Sequence, residues 1–476
     1  MLKLTTQKKD ISDAPKKYVR LVVTEEPATA HRFVETADGS LAYHMGVGKY
    51  KEMTARKFRI FVRSIVQTAK AHEVEYLALQ LSLSPFPQLN EHDEDWVTST
   101  IAENLLLADY TFTTYKSDKK PKRPQLKEIL ICGDLSTKAA SGLRRGQIVA
   151  AGANTTRNIA NSSAQDITPR GLAAAAKKAM QGTAATVQVL GEAELKKLGA
   201  NLLLAVGQGT REPSQMIVIS YWGAGKPSKK ATGATQPIVL IGKGITYDTG
   251  GLNVKPSGHM HDMHMDMSGG AAVIGALQNV ATLKLKKNVI GIIPAAENAV
   301  SAEAMRAGDI FTAMNGKTVE VLHTDAEGRM ALADALTYSE RFNPRYILDV
   351  ATLTGASLVA LGQHASAIMT TDEKLQTDLQ ILGEKSGDYV WPLPLWEEYQ
   401  KPLKSTRADL ANIATNFSRF GGTIEGGAFL QNFAPKDVSW AHIDMAPRME
   451  SIPSDKLAKG ATGEPVRLLT AFVELY

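Results

Sequence analysis

The stretch PIVLIGKGITYDTGGLNVKP, residues 237–256, decides how this chain folds. It starts as a buried strand and then breaks into glycine-rich backbone that carries Lys243, Asp248 and Lys255. Two lysines and an aspartate therefore stand where the chain leaves a sheet. A phosphate loop is a poor match, because the spacing G-x-x-x-x-G-K-[ST] is absent and no serine or threonine follows Lys243. Against that alternative, a glycine turn with solvated charges is the better reading of the residues alone.

Working outward, MIVISYWG (216–223), NVIGIIPAAE (288–297) and YILDVATLTG (346–355) are again apolar and strand-like, and they alternate with helix-like segments. The alternation predicts an α/β fold with a central mixed sheet flanked by helices, and ligands at strand C-termini. This larger C-terminal α/β domain is placed at 166–476. Ahead of it, GLRRGQIVAAGANTTRNIAN (142–161) has small and apolar residues at helical spacing, which puts a connector helix within 142–165. Thr168 before Pro169 then forms an N-cap with proline at the first helical position. Residues 1–141 mix YVRLVV (18–23), EYLALQLSL (75–83) and KEILICGD (127–134) with the helix-like KFRIFVRSIVQTAKAH (57–72), the pattern of a smaller N-terminal α/β domain. Two domains suit 476 residues, since one core rarely serves so long a chain.

Composition excludes more than it identifies. Hydrophobic residues at 44% and charged residues at 22% describe a folding chain rather than a disordered one. The lone Cys132 forms no intramolecular disulfide, and MLKLTTQKKD lacks a secretory apolar stretch, so a cytoplasmic location is expected. No apolar run reaches the roughly 18–20 residues of a membrane helix, so no membrane partner is expected. A net charge of +5 does not establish a nucleic-acid partner. The basic, proline-broken YKSDKKPKRPQLK (115–127) reads as a solvated loop before a strand, and it alone supports a DNA-binding alternative.

Two further stretches carry candidate chemistry. In VEVLHTDAEGRMALADALTYSERF (319–342) an apolar strand runs through Thr324, Asp325, Ala326 and Glu327 into a helix. Thr324 and Glu327 have the spacing of a capping box, which accounts for neither Asp325 nor Arg329. In GHMHDMHMDMSGG (258–270), Met260, Met263 and Met267 would share one helix face, as core or pocket lining. His259, His261 and His264 lack the i, i+4 spacing of a zinc helix and read as surface residues. Asp266, before Ser268-Gly269-Gly270, has the more specified environment. Should Asp248, Asp266, Asp325 and Glu327 converge, their repulsion would imply bound divalent metal, with Lys243 a nitrogen donor. Oxygen-rich ligation of that kind suits a pair of ions about 3.5–4 Å apart.

IGKGITYDTGGLNVKP (241–256), MHDMHMDMSGGAA (260–272) and HTDAEGRMALADAL (323–336) together resemble the signature of the leucyl aminopeptidases, the cytosol aminopeptidase family. Similarity continues through DVATLTGA (349–356), LPLWEEYQKPLKSTRADLANI (393–413), GGTIEGGAFL (421–430), WAHIDMA (440–446) and ATGEPVRLL (461–469). It covers the chain from about residue 142 onward, and the N-terminal third matches only in general character.

The resemblance implies a metal-dependent aminopeptidase that releases N-terminal residues, preferably leucine or another apolar one, through attack of a metal-bridging hydroxide. It assigns Lys243, Asp248, Asp266 and Glu327 to a tighter ion and Asp248, Asp325 and Glu327 to a more exchangeable one, as Zn2+ or Mn2+. Lys255 would polarise the scissile carbonyl, and Arg329 would hold bicarbonate as general base. Met263, Thr352, Gly355, Ala446 and Met449 match positions that line the pocket for the N-terminal side chain. Peptides with a free N-terminus are the expected partners, in a homohexamer. Two positions depart from the family pattern: His323 replaces asparagine and Met330 replaces leucine. His323 is either a packing change or a hydrogen-bond partner behind the ligands.

Overall fold

The computed structural model describes residues 2–80, 85–118, 124–228, 231–418 and 420–476. The chain divides into two compact units, one of Met1–Ala151 with Ser451–Lys459, the other of Gly152–Glu450 with Gly460–Tyr476. Two sequence readings fall partly outside the described residues: the run 75–83 beyond Gln80, and positions 119–123 of the basic stretch 115–127.

The first unit contains strands β1 (Lys3–Gln7), β2 (Val19–Thr24), β3 (His31–Glu35), β4 (Leu41–Gly46), β5 (Tyr76–Leu79) and β6 (Glu128–Cys132), in the sheet order β1-β6-β5-β2-β4-β3. Helices α1 (Ala55–Ala71) and α2 (Glu94–Asp109) pack together over a core that includes Phe58, Val62, Ile65, Leu77 and Ile129. Helix α3 (Thr137–Ala160) covers most of the expected connector 142–165, and the division between units falls inside it, after Ala151. Helix α4 (Pro169–Ala179) starts as its sequence predicts, the Thr168 side chain accepting the Gly171 N–H and Pro169 following the cap.

The second unit is built on β7 (Thr186–Leu190), β8 (Gln215–Trp222), β9 (Ile238–Gly242), β10 (Gly244–Asp248), β11 (Asn288–Asn298), β12 (Ile310–Thr312), β13 (Thr318–Glu320), β14 (Tyr346–Ala351), β15 (Ser366–Met369), β16 (Val390–Pro392), β17 (Leu410–Ala411) and β18 (Ser439–Asp444). The main sheet runs β16-β15-β18-β14-β9-β11-β8-β7, with β10 also paired to β11. It is mixed: β18, β14, β9 and β11 are parallel neighbours, whereas β8 is antiparallel to β11 and β15 to β18. Every residue of β9 is buried, which requires cover on both faces.

That cover comes from α5 (Glu192–Leu198), α6 (Asn201–Gly207), α7 (Ser268–Thr282), α8 (Glu327–Ser339), α9 (Gly355–Leu361), α10 (Glu373–Ser386), α11 (Gly422–Gln431) and α12 (Val466–Leu475). Helix α7 packs on the central strands with α4 and α12, and α8 packs on them with α6 and α11. The apolar run at 319–322 differs from expectation. It forms only the short β13, in a separate sheet with β12 and β17, because the chain must turn early to bring residues 323–327 to the end of the main sheet. Among the described residues, no helix is long and apolar enough to cross a membrane.

Candidate metal centre and active site

The parallel strands β9, β11, β14 and β18 end on the same edge, and the charged residues collect there. Lys243 follows β9, Asp248 ends β10, Asp266 follows the 3-10 turn Met263–Met265, and Glu327 opens α8. Lys243 Nζ lies 2.8 Å from Asp266 Oδ2 and 3.0 Å from Glu327 Oε1, and it donates to the Thr352 carbonyl at 3.1 Å. Lys255 Nζ sits 2.6 Å from Asp248 Oδ2 and 2.5 Å from Asp325 Oδ1. One carboxylate oxygen each from Asp248, Asp325 and Glu327 lies within 4.8 Å of the others. Residues far apart in sequence thus share one cluster.

Glycines make the approach possible. A Cβ on Gly328 would fall 2.6 Å from Lys243 Nζ, and one on Gly269 would fall 2.1 Å from the Val350 carbonyl oxygen. The first lets the start of α8 close over the lysine, and the second seats the start of α7, just after Asp266, against the end of β14. Gly250 has a φ of +86°, the left-handed region that glycine adopts without strain, and its N–H bonds Asp248 Oδ1 at 2.8 Å.

Neighbouring side chains hold the carboxylates in place. Thr352 donates its hydroxyl to Asp266 Oδ1 at 2.8 Å, and Asn298 donates to Asp248 Oδ1 at 2.8 Å and to the Thr324 carbonyl at 3.1 Å. Sequence reasoning missed Asn298, whose partner Asp248 lies 50 residues away along the chain. The capping-box reading of Thr324 is corrected. Ala326 precedes α8 without a side-chain cap, while Thr324 Oγ1 donates to the Gly250 carbonyl at 2.6 Å and accepts the Asn253 N–H at 2.8 Å. The hydroxyl pins two loops together.

Burial disfavours charge on Lys243 and Lys255, but the surrounding carboxylates outweigh it and raise both above the usual lysine range. Burial pushes Asp266 and Glu327 up to about 7, with neighbouring carboxylates adding to the rise and Lys243 opposing it. Asp325 rises to about 6, through burial and then through Asp248. Glu327 Oε2 is buried without a hydrogen-bond partner. A buried anionic oxygen left unbonded beside two further carboxylates is costly in protein alone, and it fits a divalent cation.

Arg329 is buried on α8 and donates to the Asn412 carbonyl at 2.8 Å. Burial lowers its pKa, with the Glu425 carboxylate opposing, and no carboxylate among the described residues forms an ion pair with it. His323 is half-buried, and its Nδ1 accepts the Asp325 N–H at 3.3 Å. Burial, then Lys255 and Arg329, lower its pKa, which favours the neutral acceptor. His323 is therefore a hydrogen-bond partner behind Asp325 as well as a packing change.

The expected pocket residues lie along the same edge. Thr352 follows β14, Gly355 opens α9, and α9 packs on the 3-10 turn Ala446–Arg448 that leads to Met449. Met263 is half-buried in the turn before Asp266. The helical methionine stripe is corrected, because residues 258–267 form turns and α7 begins only at Ser268; Met267 is buried and Met260 half-buried. His259 and His261 are exposed, His261 pairs with Asp262 at 2.7 Å, and His264 Nδ1 meets the His261 carbonyl.

Fold and centre define a class, the metal-dependent hydrolases that gather carboxylates at the strand ends of an α/β sheet. Residues 154–470 match the sequence model of the cytosol aminopeptidase family's catalytic domain, and residues 43–119 match that of its N-terminal domain. The chain belongs to the cytosol aminopeptidase family and is a metal-dependent aminopeptidase. A cytosol aminopeptidase of Haemophilus influenzae is 40% identical over 430 residues, covering 90% of this chain and 84% of that protein. A probable cytosol aminopeptidase of Hamiltonella defensa is 41% identical, covering 90% and 83%. Among solved structures, the bottromycin maturation enzyme BotP in complex with Mn superposes with a TM-score of 0.84 at 30% identity, covering 97% of this chain and 99% of that one.

Proposed function

We propose that this aminopeptidase holds two divalent cations, Zn2+ or Mn2+, one among Lys243, Asp248, Asp266 and Glu327 and the other among Asp248, Asp325 and Glu327. The observation that carries the reading is the unbonded Glu327 Oε2 beside Asp248 and Asp325, with ligand oxygens of the three within 4.8 Å. Such ions supply Lewis acidity toward a peptide carbonyl and bring the pKa of water toward neutrality. Lys243 must surrender its proton to serve as a nitrogen ligand, so metal uptake releases protons. Lys255, ion-paired with Asp248 and Asp325, is the side chain to donate an N–H to the scissile carbonyl oxygen. Arg329, a buried cation with no carboxylate partner among the described residues, is the side chain to hold bicarbonate as general base.

Met263, Thr352, Gly355, Ala446 and Met449 line the pocket for the N-terminal residue, and methionine surfaces suit leucine and other apolar side chains. A Cβ on Gly355 would meet no atom within 4 Å, as expected for a pocket wall. Peptides with a free N-terminus are the substrates, in a cytoplasmic homohexamer. Nothing in the family match or the relatives supports the DNA-binding alternative.

The deciding experiment is hydrolysis of leucine p-nitroanilide by chelated protein with Mn2+ or Zn2+ restored, beside Asp266→Ala. Mn2+ comes first because BotP is described in complex with it. Activity should return with metal in the parent and not in the variant; equal recovery in both would remove Asp266 from the centre.

A further inference from the structure

We propose that Asp444 is a positioning residue that sets the shape of the pocket for the substrate's N-terminal side chain, an inference that rests on the pocket reading above. Asp444 ends β18 and is completely buried. Its Oδ1 accepts the Leu353 N–H at 3.1 Å and the Ala446 N–H at 3.2 Å, and its Oδ2 accepts the Thr354 hydroxyl at 2.6 Å. Leu353 and Thr354 lie between Thr352 and Gly355, while Ala446 opens the turn leading to Met449. One carboxylate therefore joins the two segments that carry Thr352, Gly355, Ala446 and Met449.

The same tether reaches the charged centre. Thr352 donates to Asp266 Oδ1, and its carbonyl accepts Lys243 Nζ. Displacing the 352–355 segment would move a pocket wall and the support of two proposed ligands together.

A structural filler does not explain a charge at this point. Asp444 forms no ion pair with lysine or arginine among the described residues, and burying an unpaired carboxylate is costly. Positive charge nearby comes from Arg329, whose guanidinium the Asp444 carboxylate favours. His442, two residues earlier on the same strand face, meets Asp349 Oδ1 through Nδ1 at 2.5 Å, and Asp349 Oδ2 also accepts Trp440 Nε1 at 2.6 Å. Asp349 first, and then Asp444, draw a proton toward the fully buried His442 against the opposing effect of burial. Trp440, Asp349 and His442 thus form a hydrogen-bonded group on the strand that ends at Asp444, with His442 Nε2 left without a partner. A carboxylate can accept all three donors at once; an amide in its place turns an N–H2 toward one of them.

The test compares kcat and KM for leucine and alanine p-nitroanilides, with Mn2+ present, in the parent, Asp444→Asn, Thr354→Val and Met263→Ala. Asp444→Asn should cut the leucine-over-alanine preference in kcat/KM by at least about tenfold, mainly through KM for leucine, as expected for the loss of hydrogen bonds to a buried charge. Thr354→Val, which deletes the Oδ2 tether at nearly constant volume along with the cap that accepts the Ser357 N–H and the contact with Thr423 Oγ1, should shift the preference the same way. It decides the question if Asp444→Asn does not fold. A purely structural role would lower kcat/KM for both substrates alike and leave their ratio unchanged, which overturns the proposal. If Met263→Ala moves the ratio and the other variants do not, only the Asp444 inference falls. If Met263→Ala also leaves it unchanged, the pocket is misassigned and the inference falls with it.

Discussion

Asp325 separates what the metal needs from what the fold needs. In metal-free protein its carboxylate is crowded by Asp248 and held by Lys255, which keeps Asp248 as a partner if Asp325 is neutralised. Asp325→Asn removes one of two like charges at little cost in packing, so the chelated variant should melt no lower than the chelated parent. Metal binding should respond in the opposite direction. Loss of partners behind a ligand already weakens metal sites about 10–100-fold, and loss of a ligand should cost more. Titration calorimetry with Mn2+ should show one of two equivalents weakened beyond that range. A chelated variant that melted well below the parent would instead make Asp325 a structural residue. The proposed ligands were named from the motifs, because each occupies a position in the family pattern. Asn298 and the hydroxyl of Thr324 were not, since their partners lie 50 and 74 residues away.

At the scale of elements, α8 and β9 meet at Gly328. Its missing side chain leaves room for Lys243, whose Cε would lie 2.4 Å from an added Cβ. Gly328→Ala should improve helix propensity by about 1 kcal/mol while driving the flexible end of Lys243 away from Asp266 and Glu327. The expected result is a change in stability of less than about 2 kcal/mol, within the ordinary range for point substitutions, combined with a loss of most Mn2+-supported turnover. Full activity would show that the placement of Lys243 is dispensable. The helices and central strands were readable from local pattern, as the Thr168-Pro169 start of α4 shows. The T-x-x-E spacing misled because a threonine hydroxyl can serve any nearby backbone group, and the loop at Gly250 lies closer than the helix end it was expected to cap.

The whole molecule should register the centre as a linkage between pH, metal and stability. Asp266 and Glu327 have folded values near 7, and Asp325 near 6, all above their ordinary carboxylate values. Groups raised in this way contribute stability that is present below the unfolded pKa and lost as pH rises through the folded one. Chelated protein should therefore lose stability between about pH 4 and pH 7. Metal requires the ionised carboxylates, so its stabilisation should grow over the same interval, reaching about 2.7 kcal/mol when free metal is 100 times its dissociation constant. Calorimetric melting with and without chelator at pH 5, 6, 7 and 8 should show a gap that widens with pH. A constant gap would mean that these carboxylates do not take up protons in the absence of metal.

By itself, the sequence determined the α/β character, the family and the residue types of the centre, because strand pattern and short motifs are local properties of the chain. Only the tertiary structure decided which charges meet. The order β18-β14-β9-β11 brings the ends of strands separated by scores of residues to one edge, and no spacing in the sequence encodes that closure. The hold of Asn298 on Asp248 and the tether from Asp444 to the 352–355 segment both arise there. They exist because buried polar groups must find partners in space, wherever along the chain those partners happen to lie.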